Sequence, residues 1–240
     1  MNSGIYSALS VSLQIVFRVL AVGISLSWWL PPPAQDRPWL QRAISIGARV
    51  VLMGTLGNAL SAFVFGHLDG FKGWAPDLWT ALALLAASIV PALLRRREQF
   101  LHYCMMSLPA AALSWLAIAV ILILPGRGEW VFGGWDPGVY ISEGVALART
   151  GTFAPDDSTV FGELDEEEQA VFTRSAEGRT ERFPGVVVAD TGKRMSFEFF
   201  RLHPAFVGVL YRCGGLRAAL RGNTILGLFA VLVMAAFLLE

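Results

Sequence analysis

The chain has 240 residues, of which 55% are hydrophobic and only 16% are charged. Ordinary soluble domains carry roughly 25% charged residues, so this composition excludes a typical soluble domain and predicts an integral membrane protein. Basic and acidic residues are balanced at 19 each, and this balance gives no reason to expect nucleic acid as a partner.

Five apolar segments reach or approach the roughly 20 residues that a helix needs to cross a bilayer. In chain order they are residues 5–30, 43–65, 78–94, 103–124 and 224–239. Short connections join the first four, since a run of three prolines and a glycine-containing loop interrupt the apolar pattern. Within the second segment, Gly54 and Gly57 are typical of close helix packing. Cys104 and Cys213 lie in different segments, which predicts two thiols rather than a disulfide.

Arginines in the short loops predict the orientation of these segments. Arg95, Arg96 and Arg97 follow the third segment, and Arg37 and Arg42 follow the first. We therefore expect these loops on the cytoplasmic side. The predicted organisation is a four-helix membrane region (1–124), an extracytoplasmic loop with a candidate active site (125–222) and a fifth transmembrane helix (223–240).

The long loop needs elements of its own, because structureless connections of this length are uncommon in compact domains. Asp136 as N-cap, Pro137 at the first helical position and Gly151 past the end predict a helix. Residues 183–200 predict two short strands around a turn, and residues 163–181 are charged on all sides, which favours a solvated and mobile insert.

Residues 199–215 are apolar and aromatic, which predicts a helix lying in the membrane interface. The fold class expected from the whole chain is an all-α polytopic membrane protein with about five transmembrane helices. Its extracytoplasmic loop should carry a helix, a short β-hairpin and an interfacial helix.

Three residues of the predicted loop helix, Asp136, Tyr140 and Glu143, share one face. Two carboxylates facing one cleft at the membrane edge can act as a general base toward an acceptor hydroxyl or hold a divalent cation against a phosphate. The alternative is that Asp136 only caps the helix and Glu143 only meets water.

Three motifs follow one another in the second half of the chain. An apolar helix is followed by a predicted helix that carries Asp136, Tyr140, Gly144, Leu147 and Gly151. Leu202-His203-Pro204 then enters the next helix, and a stretch from Ala219 to Asn223 precedes the last span. In their order and spacing these motifs resemble the GT-C membrane glycosyltransferases, especially the bacterial relatives of protein O-mannosyltransferases and of the aminoarabinose transferase of lipid A. The resemblance implies an inverting transfer from a sugar linked to polyprenyl phosphate, with Asp136 as the catalytic base.

In this reading Tyr140, Arg201 and His203 are the candidate substrate-binding residues, and the planar guanidinium of Arg201 suits the lipid phosphate. Arg201 in an interfacial helix can also simply extend its charge to the membrane surface, and His203 can be a hydrogen-bonded residue at a helix start. The family often has a second acid beside its first Asp, where this chain has Pro137. A second carboxylate must therefore come from Glu143 or from the Asp156-Asp157 pair.

Asp156 and Asp157 are the candidate ligands for a divalent cation, and a turn with solvated acids is the alternative interpretation. Arg18 and Arg49 lie within predicted spans, where a charge normally faces a partner or a polar cavity. This favours a further membrane polypeptide that completes the fold, and we expect this chain alone not to be a competent transferase. The expected partners are a lipid-linked sugar donor and membrane lipids, in a bacterial-type plasma membrane. The alternative function is a non-catalytic membrane subunit or transporter-like component that binds lipid-linked sugar.

Overall fold

A computed structural model of the chain describes residues 2–31, 33, 36–73, 79–80, 82–84, 86, 90, 93–94, 96–124, 136–158, 162–176, 179–183, 185–188, 194–198 and 200–239. These residues are mostly helical. The helices are α1 (Asn2–Ser27), α2 (Trp39–His67), α3 (Arg97–Ile123), α4 (Asp136–Thr150), α5 (Glu166–Val171), α6 (Leu202–Leu220) and α7 (Gly222–Leu239). The strands are β1 (Arg174–Ala176), β2 (Arg179–Phe183), β3 (Val186–Val188) and β4 (Met195–Phe197).

The chain divides into two compact units. The first, which we call the helical unit, comprises residues Met1–Ser61, Pro76–Pro125 and Arg221–Glu240. The second, which we call the mixed unit, comprises Ala62–Ala75 and Gly126–Leu220. Helix α2 contributes to both units, because its last residues, from Ala62 to His67, belong to the mixed unit.

Four helices in the described residues are long and apolar enough to cross a membrane, and they are compatible with an integral membrane protein. They are Gly4–Ser27, Trp39–His67, Arg97–Ile123 and Gly222–Leu239. These bounds agree with four of the five predicted spans. The remaining predicted span, residues 78–94, is described only in part, at residues 79–80, 82–84, 86, 90 and 93–94, and all of these except Leu94 are helical.

Large apolar side chains on these helices are exposed, as expected of surfaces that face hydrocarbon. They include Leu13, Phe17, Leu60, Leu113, Val120 and Val231. Soluble monomers rarely expose continuous apolar surface on this scale, because water penalises it.

Small residues allow the helices of the helical unit to approach closely. A Cβ atom at Gly54 would overlap the carbonyl oxygen of Val19, and one at Gly23 would overlap that of Val50. Helices α1 and α2 therefore touch through backbone at two levels, which maximises van der Waals contact where hydrocarbon offers no hydrophobic driving force. A Cβ at Gly57 would lie 2.5 Å from Cγ1 of Val22, so the predicted packing role of Gly54 and Gly57 is confirmed.

The mixed unit contains a four-stranded antiparallel sheet in the order β1-β2-β3-β4. The predicted hairpin is confirmed as β3 and β4, with Val186 opposite Phe197 and Val188 opposite Met195. Its turn, residues 189–193, lies outside the described residues. The sheet has two strands more than the predicted hairpin, because β2 pairs with the other edge of β3 and β1 pairs with β2.

The charged segment 163–181 contains a helix and strands in its described residues, and none of these residues is buried, which agrees with the predicted solvated insert. Helix α5 begins with a capping box, in which the Asp165 side chain accepts from the Glu168 backbone N–H and the Glu168 side chain accepts from that of Asp165. Strands β1 and β2 follow directly. The helix is exposed to solvent along its length, so local capping and strand pairing, rather than a core of its own, give the segment its structure.

A buried ion pair fastens this segment to the rest of the mixed unit. Arg182 on β2 donates from Nε and Nη2 to the two carboxylate oxygens of Asp157, at 2.9 and 2.6 Å. Both side chains are only about a tenth exposed, at 9% and 11%. Arg182 also donates to the Thr173 hydroxyl at 2.6 Å, just after α5. One guanidinium thus joins β2, the end of α5 and the loop that follows α4.

We expect Asp157→Asn to destabilise the mixed unit, because it leaves the Arg182 charge buried without its carboxylate. Removing one partner of a buried pair costs about 3–5 kcal/mol. The measurement is hydrogen–deuterium exchange of the amides in β1 and β2, which should lose protection by about a hundredfold or more.

Asp156→Asn is the matched control, because Asp156 is exposed and its carboxylate accepts short-range hydrogen bonds from Ser158, which an Asn side chain can also accept. Equal protection of β1 and β2 in the two variants would contradict the role assigned to the pair.

Candidate functional site

Helix α4 lies between two apolar clusters of the mixed unit. On one side Val139 packs with the buried residues of β3 and β4, and Ala146, two turns later, packs against the same cluster. On the other side Leu147 packs with Phe71, Phe153 and the residues Ala205 and Val209 of α6. The α4 face that carries Tyr140, Glu143 and Leu147 is therefore turned toward α6.

Helices α4 and α6 approach so closely that no side chain fits at their contact. A Cβ at Gly144 would lie 2.6 Å from Cγ1 of Val207 and 2.7 Å from the carbonyl oxygen of Pro204. On the facing helix, a Cβ at Gly208 would lie 3.1 Å from the Gly144 carbonyl oxygen. Because the two backbones meet here, side chains next to the contact face the neighbouring helix rather than water.

This close packing buries the side chain of Glu143. It is fully buried, with 0% of its surface exposed. Its Oε1 lies 3.5 Å from Nε of Arg201, and neither carboxylate oxygen accepts a hydrogen bond from a described residue. Burial raises the pKa of Glu143 to about 8, and the nearby charge of Arg201 offsets only part of this effect. Glu143 is therefore mainly protonated near neutral pH.

Arg201 lies immediately before α6 and is held by two neighbours. Its guanidinium carbon lies 5.4 Å from the centre of the Phe153 ring, within the range of a cation–π contact, while its Nε faces Glu143. About a quarter of the side chain, 27%, stays exposed. Arg201 is therefore a cationic side chain next to the buried Glu143 that is still partly accessible to solvent.

Tyr140 and His203 form an edge-to-face ring pair beside these charged groups, with their centres 5.3 Å apart. Tyr140 is one helical turn before Glu143, and His203 is two residues after Arg201. The structure therefore brings four of the predicted site residues, which come from distant parts of the sequence, to one junction of α4 and α6. A helix forms where the sequence predicts an interfacial one, and the apolar residues of its first half are buried within the mixed unit.

Asp136 is the first residue of α4, where the sequence predicts a helix start. Its side chain lies outside the described part of the chain, so its predicted capping and catalytic roles stay predictions. The backbone places Asp136 about one turn before Tyr140.

Asp156 and Asp157, the candidate metal ligands, point to different partners. Asp156 accepts from the backbone N–H and the hydroxyl of Ser158, at 3.1 and 2.8 Å, which is the turn of the alternative interpretation. Asp157 is neither solvated nor available, because both of its oxygens accept from Arg182. In the described ranges no group of three or more His, Cys, Asp or Glu residues could hold a metal ion.

The sequence did not predict that Phe153 contacts Arg201, or the backbone hydrogen bonds that hold Phe153 in place. Phe153 follows Gly151, whose φ of +83° ends α4 with a left-handed turn that favours glycine. The Gly151 carbonyl accepts from the Phe71 N–H at 3.1 Å, and the Phe153 N–H donates to Gly66 at 3.3 Å. No local pattern signals these pairings, because they join the residues at the end of α4 to the last turn of α2 and to the loop after it.

Arg212 on α6 fixes the same loop from the other side. It donates to the carbonyl oxygens of Phe71 and Gly73, at 3.3 and 2.6 Å, and its guanidinium carbon lies 5.1 Å from the centre of the Phe71 ring. This arginine therefore has a structural role within the mixed unit.

Comparisons with protein-family models, curated proteins and solved structures give no match to this chain.

The raised pKa of Glu143 predicts a pH dependence of stability. Between about pH 4.5 and 8 the folded protein holds a proton on Glu143 that the unfolded chain releases, so stability should fall as the pH rises through this window and level off above it. For a difference of one proton the slope is about 1.4 kcal/mol per pH unit.

Glu143→Gln removes this titration while keeping a neutral side chain of the same shape. Thermal unfolding of the wild type and the variant in the same detergent, followed from pH 5 to pH 9, measures the difference. If the unfolding temperatures of the two proteins change with pH in parallel, the raised pKa of Glu143 is contradicted.

Proposed function

We propose that the mixed unit binds the phosphate of a polyprenyl-phosphate-linked sugar and that the chain takes part in transferring this sugar to an extracytoplasmic acceptor at a bacterial-type plasma membrane. The observation that carries the proposal is the Arg201 side chain, which lies next to Glu143 and Phe153 and stays 27% exposed. The proposal also draws on the resemblance of the sequence to GT-C glycosyltransferases and on four helices compatible with a membrane.

The charge balance around Arg201 favours an anionic ligand. Since burial keeps Glu143 mainly protonated near neutral pH, the Arg201 charge is not cancelled by its nearest carboxyl group. A guanidinium binds phosphate through a planar pair of N–H groups, and such charge-assisted bonds are about twice as strong as neutral ones. His203, two residues away, is placed to offer a second contact.

The resemblance assigns the catalytic step to Asp136 at the start of α4. Its carboxylate would take the proton of the acceptor hydroxyl while the hydroxyl oxygen attacks the anomeric carbon of the sugar. The bond from that carbon to the phosphate oxygen breaks, the phosphate leaves with the electron pair, and the anomeric centre inverts. Arg201 stabilises the negative charge that the leaving phosphate gains.

Glu143 has a different role from the one that the sequence suggested. A carboxyl group with no exposed surface does not reach a substrate, so Glu143 acts through Arg201 as a positioning residue. Tyr140 contributes by fixing the ring of His203.

Two variants test the proposal in membranes that contain the whole chain. Arg201→Gln should weaken binding of polyprenyl phosphate, used without sugar as the probe, by about 10- to 100-fold, since it removes a charge-assisted contact. Asp136→Asn should leave this binding intact and reduce transfer from a panel of polyprenyl-phosphate hexoses by about 10²- to 10⁴-fold.

Arg194→Gln is the matched control, because Arg194 is an exposed arginine of the same unit, 3.8 Å from Asp69. Unchanged polyprenyl-phosphate binding in Arg201→Gln would overturn the proposed phosphate site. Binding that depends on Arg201, without any transfer that depends on Asp136, would instead support a non-catalytic protein that binds lipid-linked sugar.

A further inference from the structure

The helical unit contains a cavity of about 580 Å³ where α1 ends and where α2 and α3 begin. We propose that this cavity binds the phosphate-bearing headgroup of an anionic phospholipid. Its size lies within the roughly 300–1,000 Å³ that is usual for small-molecule sites. Its lining combines two arginines with an aromatic and aliphatic wall, the combination that a charged headgroup on an apolar chain requires.

The charged part of the lining comes from Arg42 in the first turn of α2 and Arg96 directly before α3. Each guanidinium carries several N–H donors, and a phosphate oxygen accepts charge-assisted hydrogen bonds from such donors. Glu98 also lines the cavity, and two arginines against one glutamate leave the site positively charged.

The apolar part of the lining is rigid. The Trp28 ring packs edge to face on Phe100 and Tyr103, with centres 5.3 and 5.7 Å apart. The Tyr103 hydroxyl donates to the Ser27 hydroxyl at 2.9 Å, which fixes the ring that forms the cavity wall. Ile46 and Met106 extend this wall and offer contact to the first carbons of an acyl chain.

The position of the cavity selects a lipid rather than a soluble phosphate. It lies at the ends of three helices that are long and apolar enough to cross a membrane, and Trp28 and Trp29 lie in its lining. Tryptophan is enriched at the level of lipid headgroups, and basic pockets between membrane helices bind anionic headgroups. A free phosphate would leave the apolar wall without a partner.

Native mass spectrometry of the full chain in detergent tests the inference, with phosphatidylglycerol as the anionic probe and phosphatidylcholine as the zwitterionic one. The wild type should retain phosphatidylglycerol in preference to phosphatidylcholine. Arg42→Gln and Arg96→Gln together should weaken phosphatidylglycerol binding by about tenfold or more. Arg97→Gln is the matched control, because Arg97 is exposed and adjacent but does not line the cavity, and it should change binding by less than about twofold.

Two further arms keep the test decisive. Ile46→Phe keeps both arginines and narrows the cavity, so it should also weaken phosphatidylglycerol binding, which separates loss of space from loss of charge. Excess inorganic phosphate should leave the bound lipid in place. Equal phosphatidylglycerol binding in the wild type and the double arginine variant would overturn the site, and displacement of the lipid by inorganic phosphate would overturn its assignment to a headgroup.

Discussion

The mixed unit depends on one constraint: a carboxyl group, Glu143, is buried between two helices whose backbones touch. Because Gly144 and Gly208 have no side chains, α4 and α6 pack closely at this point, and their contact buries Glu143. The charged group nearest to Glu143 is the guanidinium of Arg201, the residue directly before α6. The sheet on one face of α4 and the loop after α2 on the other then complete the burial of this helix.

Burial of this acid has an electrostatic consequence for its neighbour. An ionised Glu143 would neutralise Arg201, but transfer out of water favours the protonated acid and raises its pKa to about 8. The same low exposure that stabilises the helix contact thus leaves a positive charge on Arg201. The proposed anion site thus depends on the close packing of α4 and α6 rather than on a cluster of basic residues.

The sequence predicts those features that depend on neighbouring residues. The start of α4 at Asp136 and its end before Gly151 follow from the punctuation of proline and glycine, and the β3-β4 hairpin follows from its alternating apolar residues. The close packing at Gly54 follows from the small residue within an apolar helix. Each of these features is local, so the pattern of side chains is sufficient to identify it.

The remaining features depend on partners that are distant in the sequence. The charged segment 163–181 has the composition of a solvated insert, and nothing in this pattern shows that Arg182, directly after it, pairs with both carboxylate oxygens of Asp157. The same pairing removes Asp157 from the candidate metal ligands. Glu143 has the polar pattern of an exposed helix face, and only the approach of α6 buries it. The pattern of residues along α4 does not show which other helix packs against it.

A double-mutant cycle on Glu143 and Arg201 tests the central claim most directly, with Glu143→Gln, Arg201→Gln and their combination compared by reversible unfolding in mixed micelles at pH 6 and pH 9. Because the pKa of Glu143 is about 8, we predict that the pair is ionic only at the higher pH. The coupling free energy should be about 1–3 kcal/mol at pH 9 and should fall by most of that amount at pH 6. Coupling that is absent at pH 9, or equal at the two pH values, would contradict a buried, mainly protonated Glu143 beside Arg201.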